Sequence, residues 1–360
     1  MLKNDLSSYL IQKTTEKRIL ISCHLDLTYH CNLNCIHCYV VKENRKEMKT
    51  SKIVDIIDQL AALGTLYLSL SGGEVLTRED FFEIAEYARD MHFALNISTN
   101  GTLIDEEIAN KLSNLNLHQI FISIYSMNPK IHDKITGISG SLEKTIDAVK
   151  MIKRNDMPLS ISNTIMKQNV NEYYQVYEMA KKLDAEIRFD PQITPKTDGD
   201  KLPLINQIGK SDLQNILSDP LLKLNLRNEP AEYMDNNITD LPCGAAHTTC
   251  YISPYGDIFP CVQFPLLCGN INENQLHEIW YNSSNMLDAS NIRMSNLPVC
   301  SKCEIIDYCH YCPGLSILEE DDIKIPPDRC CAEAELLFSL GGEIYEKNIP
   351  ETSNKNRKNV

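Results

Sequence analysis

The sequence predicts an α/β protein followed by a smaller cysteine-rich unit. Two observations carry that reading. Apolar runs of strand length alternate with amphipathic runs of helix length through the first half of the chain. Ten of the fourteen cysteines then fall between residues 243 and 331. Alternating β and α segments imply a parallel sheet covered by helices. The shift in composition marks a domain boundary. With 360 residues, 43% of them hydrophobic, the chain can build one large core and a second, smaller unit.

The elements follow in order. Residues 1–18 form an extension. Strands are expected at 19–27, 66–70, 93–98, 119–124, 158–165 and 185–190. Helices are expected at 50–63, 79–91, 104–114, 141–154 and 171–183. Ser51 is placed to cap the first helix, and Asp105 lies in the first turn of the third. The barrel-like repeat thus spans 19–190. Pro191, Pro195, Asp198, Gly199, Asp200 and Pro203 then mark a linker that runs to 240 and carries a helix at 211–224. The run from Cys250 to Cys261 reads as a hairpin turning at Pro254–Asp257. The cysteine-rich unit covers 241–340. Residues 341–360 are a polar tail, expected to be disordered from Asn348 onward.

Charge and targeting signals narrow the function. Net charge is −14 with no basic block, which argues against nucleic acid as a partner. No apolar run approaches a membrane span, and the N-terminus lacks a signal-peptide pattern, so no membrane partner is expected and the expected location is cytoplasmic. Disulfides are rare there, so the cysteines are expected to hold metal or clusters.

Three motifs carry chemistry. The first is Cys31-x3-Cys35-x2-Cys38, on a loop at the C-terminal end of the first strand, where α/β barrels place their chemistry. Structural zinc wants a fourth ligand, and only His30, His37 or Cys23 lies nearby. A cubane iron–sulfur cluster can take three cysteines and leave one iron open. The second is Ser71-Gly72-Gly73-Glu74, which ends the second strand. Its glycines permit close backbone approach, and its carboxylate can accept from an ammonium group. The third is the ordered set Cys243, Cys250, Cys261, then Cys300-x2-Cys303-x5-Cys309-x2-Cys312, then Cys330 and Cys331. Cys-x2-Cys pairs also suit zinc ribbons.

The first two motifs resemble those of the radical S-adenosylmethionine (SAM) enzymes, and the third resembles the C-terminal SPASM domain of their peptide-modifying members. Six strands are too few to argue a closed barrel, but they suit the partial (β/α)6 TIM-like barrel that this resemblance implies. It further implies that the open iron at Cys31, Cys35 and Cys38 binds SAM. One electron then splits SAM to methionine and a 5′-deoxyadenosyl radical. Gly72, Gly73 and Glu74 would hold the SAM amino group. Ser98 and Asn100, ending the third strand, would meet the ribose; their alternative is a plain Asn-Gly turn. Ser123 would meet the carboxylate. The aspartate and glycine that follow this serine in relatives are Tyr125 and Ser126 here, and the arginine often found soon after is missing.

Carried over by position, one auxiliary [4Fe–4S] cluster would use Cys243, Cys261 and Cys312, with Cys250 as the fourth ligand. The other would use Cys300, Cys303, Cys309 and Cys330, with Cys331 as the alternative to Cys330. That makes three [4Fe–4S] clusters and SAM as cofactors. Cys23 and Cys268 are left without a ligand role. Asp190, ending the sixth strand in Phe189-Asp190-Pro191, is a candidate substrate contact or proton acceptor; its alternative is an ordinary strand-ending turn.

The function implied is oxidation or crosslinking of a ribosomally made precursor peptide through thioether or carbon–carbon bonds. A flavodoxin- or ferredoxin-type protein would donate electrons. Only about twenty residues precede the barrel, so a separate leader-peptide recognition protein is an expected partner. The alternatives are a sulfatase-maturase-like formylglycine enzyme, a cofactor- or tetrapyrrole-pathway enzyme, and a non-catalytic cluster-bearing protein. The first is disfavoured because Val262 stands where those relatives carry the aspartate proposed as base.

Overall fold

A computed structural model describes residues 6–223 and 240–348. Strands β1 (Ser22–Thr28), β2 (Tyr67–Gly72), β3 (Ala94–Thr99), β4 (Gln119–Ser123), β5 (Leu159–Thr164) and β6 (Glu186–Asp190) form a parallel array in sequence order. The expected strands are all present, with ends displaced by up to three residues. Helices α2 (Thr50–Ala62), α3 (Phe81–Asp90), α4 (Glu106–Asn114), α6 (Ser141–Arg154) and α7 (Tyr173–Lys182) also fall where the periodicity placed them. Helix α1 (Leu6–Glu16) lies in the extension, and α5 (Pro129–Thr136) lies in a stretch left without an element. Asn128, Pro129 and Gly137 are the start and stop signals of α5: an N-cap accepting from Lys130 N–H, a first-turn proline and a left-handed C-cap. Ser51 does not cap α2. The helix starts one residue earlier, with Lys49 at its N-cap and no side-chain cap bond. Asp105 is the N-cap of α4 and accepts from Ile108 N–H.

Period-two alternation divides the sheet into two faces. Leu25, Leu27, Leu68, Leu70, Leu95, Ile97, Ile120, Ile122 and Ile161 pack with Ile53, Ile56, Leu60, Ile84 and Val149 of the helices in one core. The opposite face is lumenal and polar. It carries His24 and Asp26, Ser69 and Ser71, Asn96 and Ser98, Ser123, Ser160 and Ser162, and Arg188, placed by the strand registers.

The cysteine-rich region does not begin as a separate layer. Strand β7 (Thr249–Ile252) pairs in parallel with β1, and β8 (Asp257–Phe259) and β9 (Gly269–Asn270) extend the sheet antiparallel, giving nine strands among the described residues. Trp280 is fully buried in the same core as Leu25. Its indole N–H donates to Arg18 O at 2.7 Å, and Arg18 Nη2 donates back to Trp280 O at 2.7 Å. The expected helix at 211–224 is split into α8 (Lys210–Ser218) and α9 (Pro220–Lys223), because Pro220 interrupts it. The remainder of the linker, 224–239, lies outside the described residues.

The last helix, Asp328–Asn348, crosses the boundary expected at 340. It returns to the barrel, where Leu336 packs with Ile208, Leu213, Ile216 and Phe189 beside β6. The tail beyond Asn348 lies outside the described residues. No helix among the described residues is long and apolar enough to cross a membrane.

Candidate functional site

The loop after β1 carries Cys31, Cys35 and Cys38, and backbone bonds hold it. Asn34 N–H donates to Thr136 O at 2.9 Å and Ile36 N–H to Ile135 O at 3.0 Å. Gly137 makes this seam possible: a Cβ there would stand 2.7 Å from Asn34 O. The three thiols are electrostatic neighbours. Burial, and then the Cys38 and Cys31 thiols, push Cys35 up to about 12. Burial comes first for Cys31 too, with Glu74 and Cys38 adding to it. Bound iron reverses this preference, because a coordinating thiol is deprotonated by the metal.

Cys31 and Cys35 open onto a cleft with about 830 Å³ of empty space. Ser71, Gly72, Gly73, Ser98, Asn100, Phe121, Ser123, Tyr125 and Ser162 line it. The expected SAM-site residues therefore converge, with one exception. Glu74 does not line the cleft. Its carboxylate is fully buried and turned toward the end of β3, where Oε1 accepts from Thr99 Oγ1 at 2.7 Å and Leu76 N–H at 3.2 Å, and Oε2 accepts from Asn100 N–H at 2.7 Å. Burial raises its pKa, and these three bonds oppose the rise. The carboxylate thus braces β2 against β3.

The glycines before it have a similar explanation. A Cβ on Gly72 would stand 2.1 Å from Thr28 O, and one on Gly73 would stand 2.3 Å from His30 O. The close approach they permit is to the root of the cysteine loop. Gly73 N–H donates to Thr28 O at 2.7 Å and Glu74 N–H to His30 O at 2.8 Å. Asn100 completes the link, its Nδ2 donating to Asn32 Oδ1 at 2.8 Å. Its backbone role in bracing exceeds that of a simple turn. On the lumenal wall, Asn96 Oδ1 and Ser160 Oγ are buried without a protein partner.

Asp190 ends β6 outside the lining of this cleft. Its Oδ1 accepts from Gln192 N–H at 2.8 Å, the closing bond of a local turn. Although its side chain reaches solvent, the surrounding chain crowds the carboxyl and raises its pKa against the pull of Gln192 N–H and Arg329.

Sequence reasoning missed a polar network beneath the junction of β1 and β7. Asp26 is fully buried. Its Oδ2 accepts from Tyr251 O–H at 2.8 Å, its Oδ1 meets His24 Nε2 at 3.0 Å, and Tyr29 and Tyr251 share a hydroxyl contact of 2.5 Å. Tyr29, Tyr251, Tyr255, Phe259, Val262 and Phe264 line a second, smaller cavity there, beside Cys261. A buried aspartate within a strand was the available signal, but its partner lies more than two hundred residues away.

The C-terminal cysteines separate into groups. The thiols of Cys243 and Cys312 both act on Cys261, and Cys243 acts on Cys312. Cys300, Cys303, Cys309 and Cys331 are all mutual neighbours. Cys330, one residue earlier on the same helix, neighbours Cys309 and Cys312 instead, because successive residues on a helix point about 100° apart. Cys250 is not with Cys243, Cys261 and Cys312 but in the main core, its Sγ 3.8 Å from that of Cys23, with Cys268 nearby. The strand register opposite Cys23 puts it there.

All fourteen cysteines are free. Among the described residues no group of three or more ligand types is gathered closely enough to hold a single metal ion. Thiols around one zinc stand about 3.8 Å apart, given its bond length and tetrahedral geometry. Thiols around a cubane stand further apart, so thiols that are neighbours without meeting at one point fit a cluster better than an ion.

Comparison with known proteins agrees with this geometry. The family model described as Radical SAM superfamily matches residues 25–180, and that of the SPASM iron–sulfur cluster-binding domain matches 243–313. The chain is 30% identical over 320 residues to an AdoMet-dependent heme synthase of Methanosarcina barkeri, covering 80% of this chain and 89% of that protein. It is 27% identical over 304 residues to the mycofactocin maturase MftC of Mycolicibacterium smegmatis, covering 79% and 75%. The crystal structure of Streptococcus suis SuiB bound to its precursor peptide SuiA superimposes with a TM-score of 0.72 at 16% identity, over 91% of this chain and 82% of that one. Native anSMEcpe with bound AdoMet and a peptide gives 0.67 at 19% identity, over 91% and 98%.

Proposed function

Because the chain belongs to the radical SAM superfamily and carries a C-terminal SPASM domain, we propose that this enzyme oxidatively modifies or crosslinks a ribosomally made peptide. Membership of this family implies SAM and [4Fe–4S] clusters. The count of three is our reading of the three cysteine groups, with Cys31, Cys35 and Cys38 holding the cluster that meets SAM. When bound, that pair supplies one-electron cleavage chemistry able to remove a hydrogen atom from an unactivated carbon.

The chain's own residues orient and shield. Gly72 and Gly73 present backbone to the cleft, Ser98, Asn100 and Ser123 offer polar contacts, and Glu74 fixes the spacing of the strand ends. The Asp26–Tyr251–Tyr29 network holds its protons in place beside Cys261, since burial raises the pKa of both phenols. Asp190, at the end of β6 and outside the cleft lining, is proposed as a substrate contact.

The observation that carries the peptide reading is the chemistry of the lumen. Its strand positions are mainly serines, with His24, Asn96, Phe121 and carboxylates beside them, and Arg188 is the one lysine or arginine named among them, 5.0 Å from the Phe121 ring. Such a wall suits hydrogen bonding to an extended peptide. The mycofactocin maturase relatives support the same class. A second reading, a tetrapyrrole substrate, is favoured by the heme synthase relative; a lumen with one cation suits a polycarboxylate poorly.

The experiment sets the two against each other. Reconstituted enzyme with SAM and reductant is given any short peptide found encoded beside its gene, or an iron coproporphyrin. A mass change in the peptide, with no Soret shift on adding porphyrin, supports the proposal. Porphyrin binding and conversion with an unaltered peptide refutes it.

A further inference from the structure

We propose that the second cavity, at the junction of β1 and β7, is a specificity pocket for an aromatic side chain that carries one hydrogen-bond donor: a tyrosine or tryptophan of the substrate peptide, close in the chain to the residue being modified. The inference rests on the peptide reading and deepens it.

The walls set the shape of the occupant. The cavity holds about 500 Å³ of empty space, within the range of small-molecule pockets. Aromatic rings enclose it. Tyr29 and Tyr255 meet edge to face at 5.5 Å, and Tyr251 and Phe259, paired across β7 and β8, stack at 5.8 Å. Phe264 and Val262 add apolar surface. A flat ring finds edge and face contacts on such walls that a branched aliphatic chain does not.

The hydroxyl chain sets its polar group. Tyr251 O–H donates to Asp26 Oδ2 at 2.8 Å, so the 2.5 Å contact is a donation from Tyr29 O–H to the Tyr251 oxygen. A hydroxyl has one proton and two acceptor positions. The Tyr29 proton is committed to Tyr251, and its oxygen keeps acceptor capacity without a further partner among the described residues. The occupant that completes this chain brings a donor, a phenol O–H or an indole N–H.

Charge argues against a lysine. Glu43 and Asp257 also line the cavity, but both are committed to Arg45. Arg45 Nη1 donates to Glu43 Oε2 at 3.2 Å and to Asp257 Oδ2 at 2.5 Å, and Nη2 donates to Asp257 Oδ1 at 3.0 Å. The same guanidinium stands 4.7 Å from the centre of the Tyr255 ring. Neither carboxylate is left free for an ammonium group.

Position ties the pocket to the cleft beside Cys31 and Cys35. Tyr39 lines that cleft, and its carbonyl accepts from Thr197 N–H at 3.0 Å. Thr197 lines the second cavity. One backbone hydrogen bond thus links the two spaces. Two residues of extended peptide cover about 7 Å, so a residue held in the cleft leaves a near neighbour within reach of the pocket.

The test needs no modified product. The full chain is reconstituted anaerobically with iron, sulfide and SAM. It is titrated with the Nα-acetyl amides of tyrosine, tryptophan, phenylalanine, leucine and lysine, and binding is read by saturation-transfer nuclear magnetic resonance. Tyrosine and tryptophan amides should bind most tightly, phenylalanine next, and leucine and lysine most weakly. Val262→Phe, which narrows the cavity, should weaken the tyrosine amide at least tenfold. Tyr29→Phe removes the acceptor and should bring the tyrosine amide down to the affinity of the phenylalanine amide, a loss of about threefold to tenfold for one neutral hydrogen bond. The thermal midpoint of each variant is the folding control, and the two substitutions test the pocket independently. The inference is overturned if leucine or lysine amide binds as tightly as tyrosine amide, if folded Val262→Phe binds tyrosine amide as wild type does, or if Tyr29→Phe keeps the full preference for tyrosine over phenylalanine. Amides ranked as expected, with no peptide altered in turnover, would overturn the peptide reading alone. A peptide altered in turnover, with amides that bind alike, would overturn the pocket alone.

Discussion

The two cysteine-bearing regions of this molecule are built in opposite ways. The barrel holds its triplet within one eight-residue stretch, Cys31 to Cys38, rooted in a parallel sheet whose outer face packs under helices. The C-terminal sets draw on cysteines scattered from 243 to 331, and from Cys300 to Tyr308 the chain forms only single turns, Cys300–Lys302 and Ile306–Tyr308. The apolar group around those turns contains Leu297, Cys300 and Tyr311 as its buried members. Hydrophobic burial therefore suffices to shape the first site. In the second, the thiols and what they bind supply much of what a core would.

The strongest way to break this contrast is to remove iron. Chelation under reducing conditions should abolish amide exchange protection over 300–331 while β1–β6 keep theirs. Equal loss in both regions, followed by mass spectrometry, would show that the barrel depends on metal as well.

Next come the glycines at the root of the barrel loop. Gly72→Ala and Gly73→Ala drive a methyl to 2.1 and 2.3 Å from backbone oxygens, which side-chain movement cannot relieve. Each should destabilise the fold by more than about 3 kcal/mol and abolish iron binding at the triplet. Gly140→Ala, with open space around it, should be much milder in the same denaturant titration, apart from its left-handed φ.

Acid sharpens the comparison from the barrel side. His132 is 1% exposed, its Nδ1 accepts from Tyr125 N–H at 3.3 Å, and burial lowers its pKa from 6.5 to about 4. A base with a depressed folded pKa stabilises fully above 6.5, and that stability is lost as pH falls toward 4. The loss should reach up to about 3 kcal/mol. His132→Gln should flatten the pH dependence of the unfolding midpoint in that window.

Glu74→Gln should cost roughly 1–3 kcal/mol, since an amide nitrogen then faces an N–H donor. SAM affinity should change less than stability, because the carboxylate lies outside the cleft. A large loss of affinity with unchanged stability would restore the direct contact. The smallest effect is expected at the tie between regions. Arg45 is bidentate to Asp257, at 2.5 and 3.0 Å, and joins the loop beyond Cys38 to β8. Its guanidinium is partly exposed, so Arg45→Lys should cost no more than about 1 kcal/mol in thermal unfolding.

The sequence by itself determined the strand and helix alternation, the Cys31–Cys35–Cys38 loop at a strand end and the glycine turn at 72–73. Those are local: apolar period, ligand spacing and turn residues act within a few positions. Tertiary structure alone decided which distant groups meet. It turned Glu74 away from the cleft, because Thr99 Oγ1 and the Asn100 N–H at the end of β3 donate to its carboxylate. It set Cys250 beside Cys23, because β7 joins β1 in that register. It separated Cys330 from Cys331, because a helix begins there and rotates each residue by about 100°. Neither strand register nor helix phase relative to a distant partner is encoded in spacing along the chain. Both follow from how the sheet and the last helix pack.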